Sequence, residues 1–333
     1  MLLAATTAVA SVGSPLLWGV FLAALLFILA LDLGVFHREE HVIGTREAAA
    51  WTVTWIGLSL AFGGWVWWRF GSRVGLEFFT GYLIEYALSV DNIFVFIVIF
   101  SYFAVPPKYQ HRVLFWGIFG ALVMRGVFIW LGAALISRFD WVLYLFGAFL
   151  VFTGLRIVIH RETEVHPERN PVVNLFRRFV PLTHRYHEKR FVAREAGRLV
   201  ATPLLLVLVV VEATDVVFAV DSIPAIFGIT RDPFIVFTSN ICAILGLRSL
   251  YFLLAGMLAK FIYLKFGLGL VLAFIGLKML AADLVHLPVQ VSLAVVVAIL
   301  GGSVAASLLW PPPPDVVPQP PEPPAERPEE LPG

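Results

Sequence analysis

The feature that most constrains this chain is a series of apolar runs, each about twenty residues long, joined by mostly short connections. A hydrocarbon core about 30 Å thick needs roughly 20 apolar residues to cross it as a helix, because each residue rises about 1.5 Å. A transmembrane barrel would alternate apolar and polar residues over segments of about 10. The runs here are continuous, so the pattern predicts an all-α, polytopic transmembrane bundle of about nine spans. The candidate spans are 15–36, 49–68, 77–103, 112–136, 140–159, 201–227, 234–258, 262–284 and 289–310. Composition agrees: 59% of the 333 residues are hydrophobic and 14% are charged, against roughly 25% charged in soluble domains. That excludes a soluble enzyme, a disordered chain and a secreted disulfide scaffold. A net charge of +1 leaves no basic stripe for nucleic acid. One cysteine, Cys242, permits neither a disulfide framework nor a Cys-based metal site. No basic region precedes the first run, which reads as a retained helix and not as a cleaved signal.

These spans divide the chain into two peripheral N-terminal helices (1–76), a first three-helix unit (77–160), an amphipathic loop (161–200), a second three-helix unit (201–287) and a last helix (288–310). The tail 311–333 is rich in proline and acid, a composition that predicts an extended, disordered end. Lys and Arg in the connections set the orientation. Arg69, Arg73, Arg138 and Arg231 lie on one side, and sixteen bases lie on the other. The expectation is an N-terminus outside and a C-terminus in the cytoplasm of a bacterial inner membrane. The loop interleaves bases with aromatics in 174–180 and 190–198, which predicts helix lying on the anionic inner surface. Seven of the eight histidines (His37, His41, His111, His160, His166, His184 and His187) fall on the same side. They read as ordinary interfacial residues or as a pH or metal sensor.

An ionised side chain in the bilayer core costs about 2.5–3.5 kcal/mol and marks a pathway by default. Seven acids within the spans are read as membrane-embedded: Asp32, Glu85, Asp91, Glu212, Asp215, Asp221 and Asp283. Four bases are read the same way: Arg125, Arg156, Arg248 and Lys278. The surplus carboxylates must be protonated or neutralised by a cation. The third span carries Glu85 and then Val90-Asp91-Asn92-Ile93; the sixth carries Asp215 and then Val220-Asp221-Ser222-Ile223. Further on, Ala121 to Arg125 parallels Ala243 to Arg248, and Gly154-Leu155-Arg156 parallels Gly276-Leu277-Lys278. Spans 3–5 and 6–8 therefore read as a duplicated three-helix unit. Three is odd, so the second copy is inverted, as in secondary transporters whose site lies between repeats near the midplane.

Residues six apart on a helix are rotated by about 120°. Glu85, Ser89 and Asn92 share a face, as do Asp215, Ala219 and Ser222, while Asp91 and Asp221 point elsewhere. Two arrangements fit. The second aspartates face Arg125 and Arg248 as structural ion pairs, or the helix unwinds at the motif and brings both acids to one site. Pro224 frees the carbonyl of Val220 and allows the second. Carboxylates, Asn and Ser side chains and carbonyls, with Asn240 as a further oxygen, are hard donors. They suit Mg, Ca or Mn rather than copper(I) or zinc.

The stretch from Thr202 to Ala225, the run Thr238 to Phe252, Glu85 to Asn92, Leu31-Asp32-Leu33 and Gly276 to Met279 resemble the signature of the TerC family of integral membrane proteins. The resemblance covers about 15–310 and is closest to the Alx-like branch. It implies a place among the LysE-type exporters, a link to tellurium resistance, and efflux of manganese or another divalent cation. Carried onto this chain, the family's motif positions are Glu85, Asp91, Asn92, Glu212, Asp215, Asp221 and Ser222; Arg125 and Arg248 read beside them as charge-balancing bases for the empty site. The expected function is a non-enzymatic secondary transporter, with Mn2+ as a transported substrate and no permanently bound cofactor. The expected partners are the metal and the lipid bilayer, not nucleic acid. Rival readings are a membrane scaffold, in which the charges only hold helices together, and a membrane redox enzyme, which one cysteine serves poorly. The orientation predicts that a phosphatase fused after residue 310 is inactive in cells, while a fluorescent protein fused there is bright.

Overall fold

The structure is a computed structural model describing residues 11–34, 44–159, 171–183, 190–195, 198–255 and 263–310. The Pro-rich tail, six of the seven grouped histidines and the Asp32 side chain lie outside that description. The elements are α1 (Pro15–Gly34), α2 (Thr45–Phe70), α3 (Ser72–Tyr102), α4 (Pro107–Arg138), α5 (Trp141–Ile159) and short α6 (Pro171–Phe179). A hairpin follows, β1 (Val192–Glu195) and β2 (Arg198–Ala201). Then come α7 (Pro203–Phe227), α8 (Pro233–Leu245), α9 (Leu247–Leu254), α10 (Leu264–Leu280) and α11 (Val289–Leu309). Among the described residues, seven stretches are long and apolar enough to cross a membrane, with α8 and α9 counted together. The chain is thus an all-α polytopic membrane protein, with one small hairpin outside the bundle.

Local chemistry explains the helix starts. Proline opens α4, α7 and α8, where its missing N–H costs no bond. The Asp232 carboxylate caps α8 by accepting from the Phe234 N–H at 2.9 Å. The turn between α2 and α3 passes through Gly71 at φ +91°, a conformation that glycine adopts without strain.

Three expectations need correction. The seventh span is two helices, α8 and α9, separated at Gly246. Asp283 lies beyond the end of α10, exposed, and takes a hydrogen bond from the Tyr144 hydroxyl. Of the expected surface helix at 190–198, the described residues 192–195 and 198 are strand instead. Val192 pairs with Ala201 and Arg194 with Leu199 across an antiparallel hairpin. Residues 174–179 do form helix, within α6.

Hydrogen bonds sort the helix ends into two groups. At one end Thr230 donates to Glu77 at 2.7 Å, and Ser11 and the Val12 N–H donate to Asp232 at 2.7 and 2.6 Å. At the other, Tyr251 donates to Gln110 at 2.9 Å, and the Arg112 guanidinium sits 5.0 Å over the Phe191 ring beside the hairpin. Helices α3 and α7 therefore run in opposite directions.

The pair α5 and α10 is the closest-packed in the bundle. A Cβ on Gly154 would lie 2.5 Å from the Gly269 carbonyl oxygen, and one on Gly276 would lie 2.6 Å from that of Gly147. The same offset in sequence separates Gly147 from Gly269 and Gly154 from Gly276. Exchanging the two helices thus maps each contact onto the other, and the helices cross antiparallel. The wider packing has the same form, since α3 packs on α8 as α7 packs on α4. Small residues let backbones meet where lipid supplies no hydrophobic drive. Leucine at Gly154 or Gly276 should cost about 2 kcal/mol or more by overpacking. Leucine at Gly19, which has open space around it, should leave thermal unfolding in detergent unchanged.

Candidate functional site

Helices α3 and α7 run without interruption through both acidic motifs, so the motif does not unwind here. Regular helix then places the side chains as the 120° rotation requires. Glu85, Ser89 and Asn92 are buried on one face of α3, and Asp215, Ala219 and Ser222 on one face of α7. Asp91 and Asp221 are only partly buried.

Between the two faces lies Arg125 of α4. Its side chain is 1% exposed, that of Glu85 0% and that of Asp215 5%. The guanidinium donates from Nη2 to Asp215 Oδ1 at 3.0 Å and from Nε to Asp215 Oδ2 at 3.2 Å, a bidentate grip. Its Nη1 is hydrogen-bonded to Glu85 Oε1. Ser222 Oγ and Asn240 Oδ1 of α8 stand 3.5 Å from the same Nη1. One cation thus joins an acid of α3 to an acid of α7. Three buried polar atoms around the centre carry no protein partner: Glu85 Oε2, Ser89 Oγ and Asn240 Nδ2. Close helix approach makes room for this. A Cβ on Gly81 of α3 would meet the Ser239 hydroxyl of α8 at 2.8 Å, and one on Gly117 of α4 would meet Val211 of α7 at 3.1 Å.

The other expected residues are placed differently. Asp91 faces Lys265 in the first turn of α10. Asp221 faces Thr153 and Arg156 of α5. Neither pairs with Arg125 or Arg248, which corrects the ion-pair expectation. Each instead reaches across to the glycine-packed pair. Glu212 lies near Asp215, with its carboxylate filling the space that a side chain at Gly120 would need. Arg248 sits in α9, partly buried, and is not among the groups acting on Glu85, which are Arg125, Asp215 and Ser222. The sequence contains the reason. Four residues lead from Ala121 to Arg125, but five lead from Ala243 to Arg248. The extra residue falls where the helix breaks at Gly246, and Arg248 does not stand where Arg125 stands in α4. Among the described residues no group of three or more His, Cys, Asp and Glu side chains is gathered to hold a metal. Four first ligands from Glu85, Asp91, Asp215 and Asp221 are therefore not assembled in this conformation.

Sequence reading also passed over Glu77. It is buried at 7% exposure in the second turn of α3, bonded to Arg73 at 3.1 Å and to Thr230. Its place at a span boundary concealed it.

Breaking a buried ion pair by removing one partner costs about 3–5 kcal/mol. Arg125→Ala should lower the unfolding temperature in detergent far more than Arg248→Ala. The triple change of Arg125 to Met, Glu85 to Gln and Asp215 to Asn should recover most of that loss.

Comparison with known proteins agrees with this architecture. The integral membrane protein TerC family matches residues 70–312. An uncharacterized membrane protein of Myxococcus xanthus is 54% identical over 296 residues, covering 89% of this chain and 93% of that protein. The Alx protein of Escherichia coli strain K12, whose name proposes a membrane-bound redox modulator, is 49% identical over 299 residues, covering 87% and 93%. An uncharacterized membrane protein of Rickettsia bellii is 39% identical over 285 residues, covering 85% and 94%. No solved structure matches the chain. With its long apolar helices and its matched segment spanning both acidic motifs, the chain belongs to the TerC family of integral membrane proteins.

Proposed function

We propose that the chain is a secondary transporter of the LysE-type exporter class that moves a divalent cation, manganese first among them, out of the cytoplasm. One observation carries the reading. Two buried carboxylates, Glu85 and Asp215, converge on a single buried guanidinium from equivalent positions of two helix units. Stability alone is a weak reason to keep such a triad, because well-packed apolar residues often serve as well. Inverted three-helix repeats with a site between them suit alternating access. The exchange of contacts between α5 and α10 supports that plan.

The second aspartates extend the path. Each is six residues beyond its partner acid, about 9 Å along the helix. Because α3 and α7 run oppositely, Asp91 lies toward the hairpin end and Asp221 toward the Glu77 end. Read with the hairpin end as cytoplasmic, Asp91 receives the cation, Glu85 and Asp215 hold it midway, and Asp221 passes it outward. Asn92, Ser222 and Asn240 supply neutral oxygens, a hard donor set suited to Mn2+. Carboxylates that lose the metal must be neutralised again, and each one that takes a proton in place of the returning Arg125 couples export to proton antiport. A redox role would need groups other than a protein dithiol, since Cys242 is the chain's one cysteine and is buried.

The test is manganese content in cells that lack their own exporter and then express this chain. Expression should lower the content; Asp215→Asn, Asp91→Asn and Asp221→Asn should each abolish most of that effect at equal protein level. If the parent changes no divalent metal, the scaffold reading replaces this one.

A further inference from the structure

We infer that Arg125 is a tethered counter-ion that the transported cation must displace, and that its return to Glu85 and Asp215 resets the empty carrier. The inference rests on the transport reading above and adds the step that makes the cycle run. Glu85 and Asp215 offer four carboxylate oxygens. The guanidinium holds three of them: Glu85 Oε1, Asp215 Oδ1 and Asp215 Oδ2. Only Glu85 Oε2 is left, buried and without a partner, with Ser89 Oγ and Asn240 Nδ2 also unpartnered in the same core. A hard divalent cation takes about six oxygen ligands. It can touch Glu85 Oε2 while Arg125 is in place, but it cannot gather the other three oxygens until Arg125 leaves. The metal and the guanidinium therefore compete for the same atoms.

Displacement needs somewhere for the guanidinium to go. Glu212 precedes Asp215 by one turn on α7, and its carboxylate lies against Gly120 on Arg125's own helix. It does not act on Arg125 in this conformation, so the displaced guanidinium must swing along and around α4 to meet it. The charge argument then sets the cycle. Two carboxylates with Arg125 carry a net charge of −1, and two carboxylates with a divalent cation carry zero. Two carboxylates alone carry −2, which a low-dielectric core does not tolerate. An empty carrier without Arg125 is therefore trapped where it released its cargo. A loaded one can still cross in either direction.

Purified protein in liposomes separates the steps. Radioactive manganese is followed as net movement down its gradient and as exchange against unlabelled manganese on the other side. The parent should do both. Arg125→Gln should continue exchange while net movement falls about tenfold or more, the effect of one lost counter-charge on a barrier. Glu212→Gln should raise the manganese concentration needed for half-maximal exchange. If Arg125→Gln, monodisperse on gel filtration, moves manganese net at the parental rate, or loses exchange along with net movement, the inference is wrong. If that variant is not monodisperse, Arg125→Lys decides. Lysine keeps the charge but loses the bidentate grip, so net movement should persist with tighter manganese binding. Loss of net movement, or unchanged binding, overturns the proposal. If the parent neither exchanges nor moves manganese, the transport reading itself fails and this inference falls with it.

Discussion

The structure is organised around one guanidinium. Arg125 is a charge at 1% exposure inside a helix bundle, and its desolvation is offset only if its donors meet acceptors of opposite charge at close range. Those acceptors come from two other helices, Glu85 from α3 and Asp215 from α7. A fourth helix, α8, contributes Asn240. Holding these four helices at the right distances depends on small residues: Gly81 against Ser239 and Gly117 against Val211. A bulkier side chain at either position would push a helix away and leave a buried charge without its partner.

Around that centre the packing has a two-fold pattern that the polar groups share only in part. The acids are matched, one on α3 and one on α7. The contacts of α5 with α10 are matched, glycine for glycine. The arginines are not matched, because one extra residue precedes Arg248 where the helix breaks at Gly246. Two acids on oppositely running helices thus share a single base.

Much of this was legible from sequence, and the misses have physical causes. The spans were legible because lipid demands long apolar helices. The face shared by Glu85, Ser89 and Asn92, and that shared by Asp215, Ala219 and Ser222, followed from helical rotation alone. The hairpin at 192–201 was missed because bases interleaved with aromatics suit a surface helix and a short strand pair alike. Asp283 was counted inside a span and Glu77 was passed over for one reason: hydropathy locates helix ends only to within a few residues. Gly246 stood in the compared motifs as the additional residue, yet its effect on the helix was not drawn.

The sequence by itself determined that the chain is an all-α membrane bundle, that its acids recur in two copies, and which side chains of each copy share a helix face. These depend on local periodicity and on the cost of charge in lipid, both readable along one dimension. Tertiary structure alone decided which charges meet. Arg125 is forty residues from Glu85 and ninety from Asp215, and no spacing rule connects them. Asp91 and Asp221 turn to Lys265 and to Thr153 and Arg156 because α10 and α5 lie beside α3 and α7 in the packed bundle. Ion pairing in a low-dielectric interior is settled by distances of a few ångströms between helices, and those distances exist only once the glycine contacts have closed.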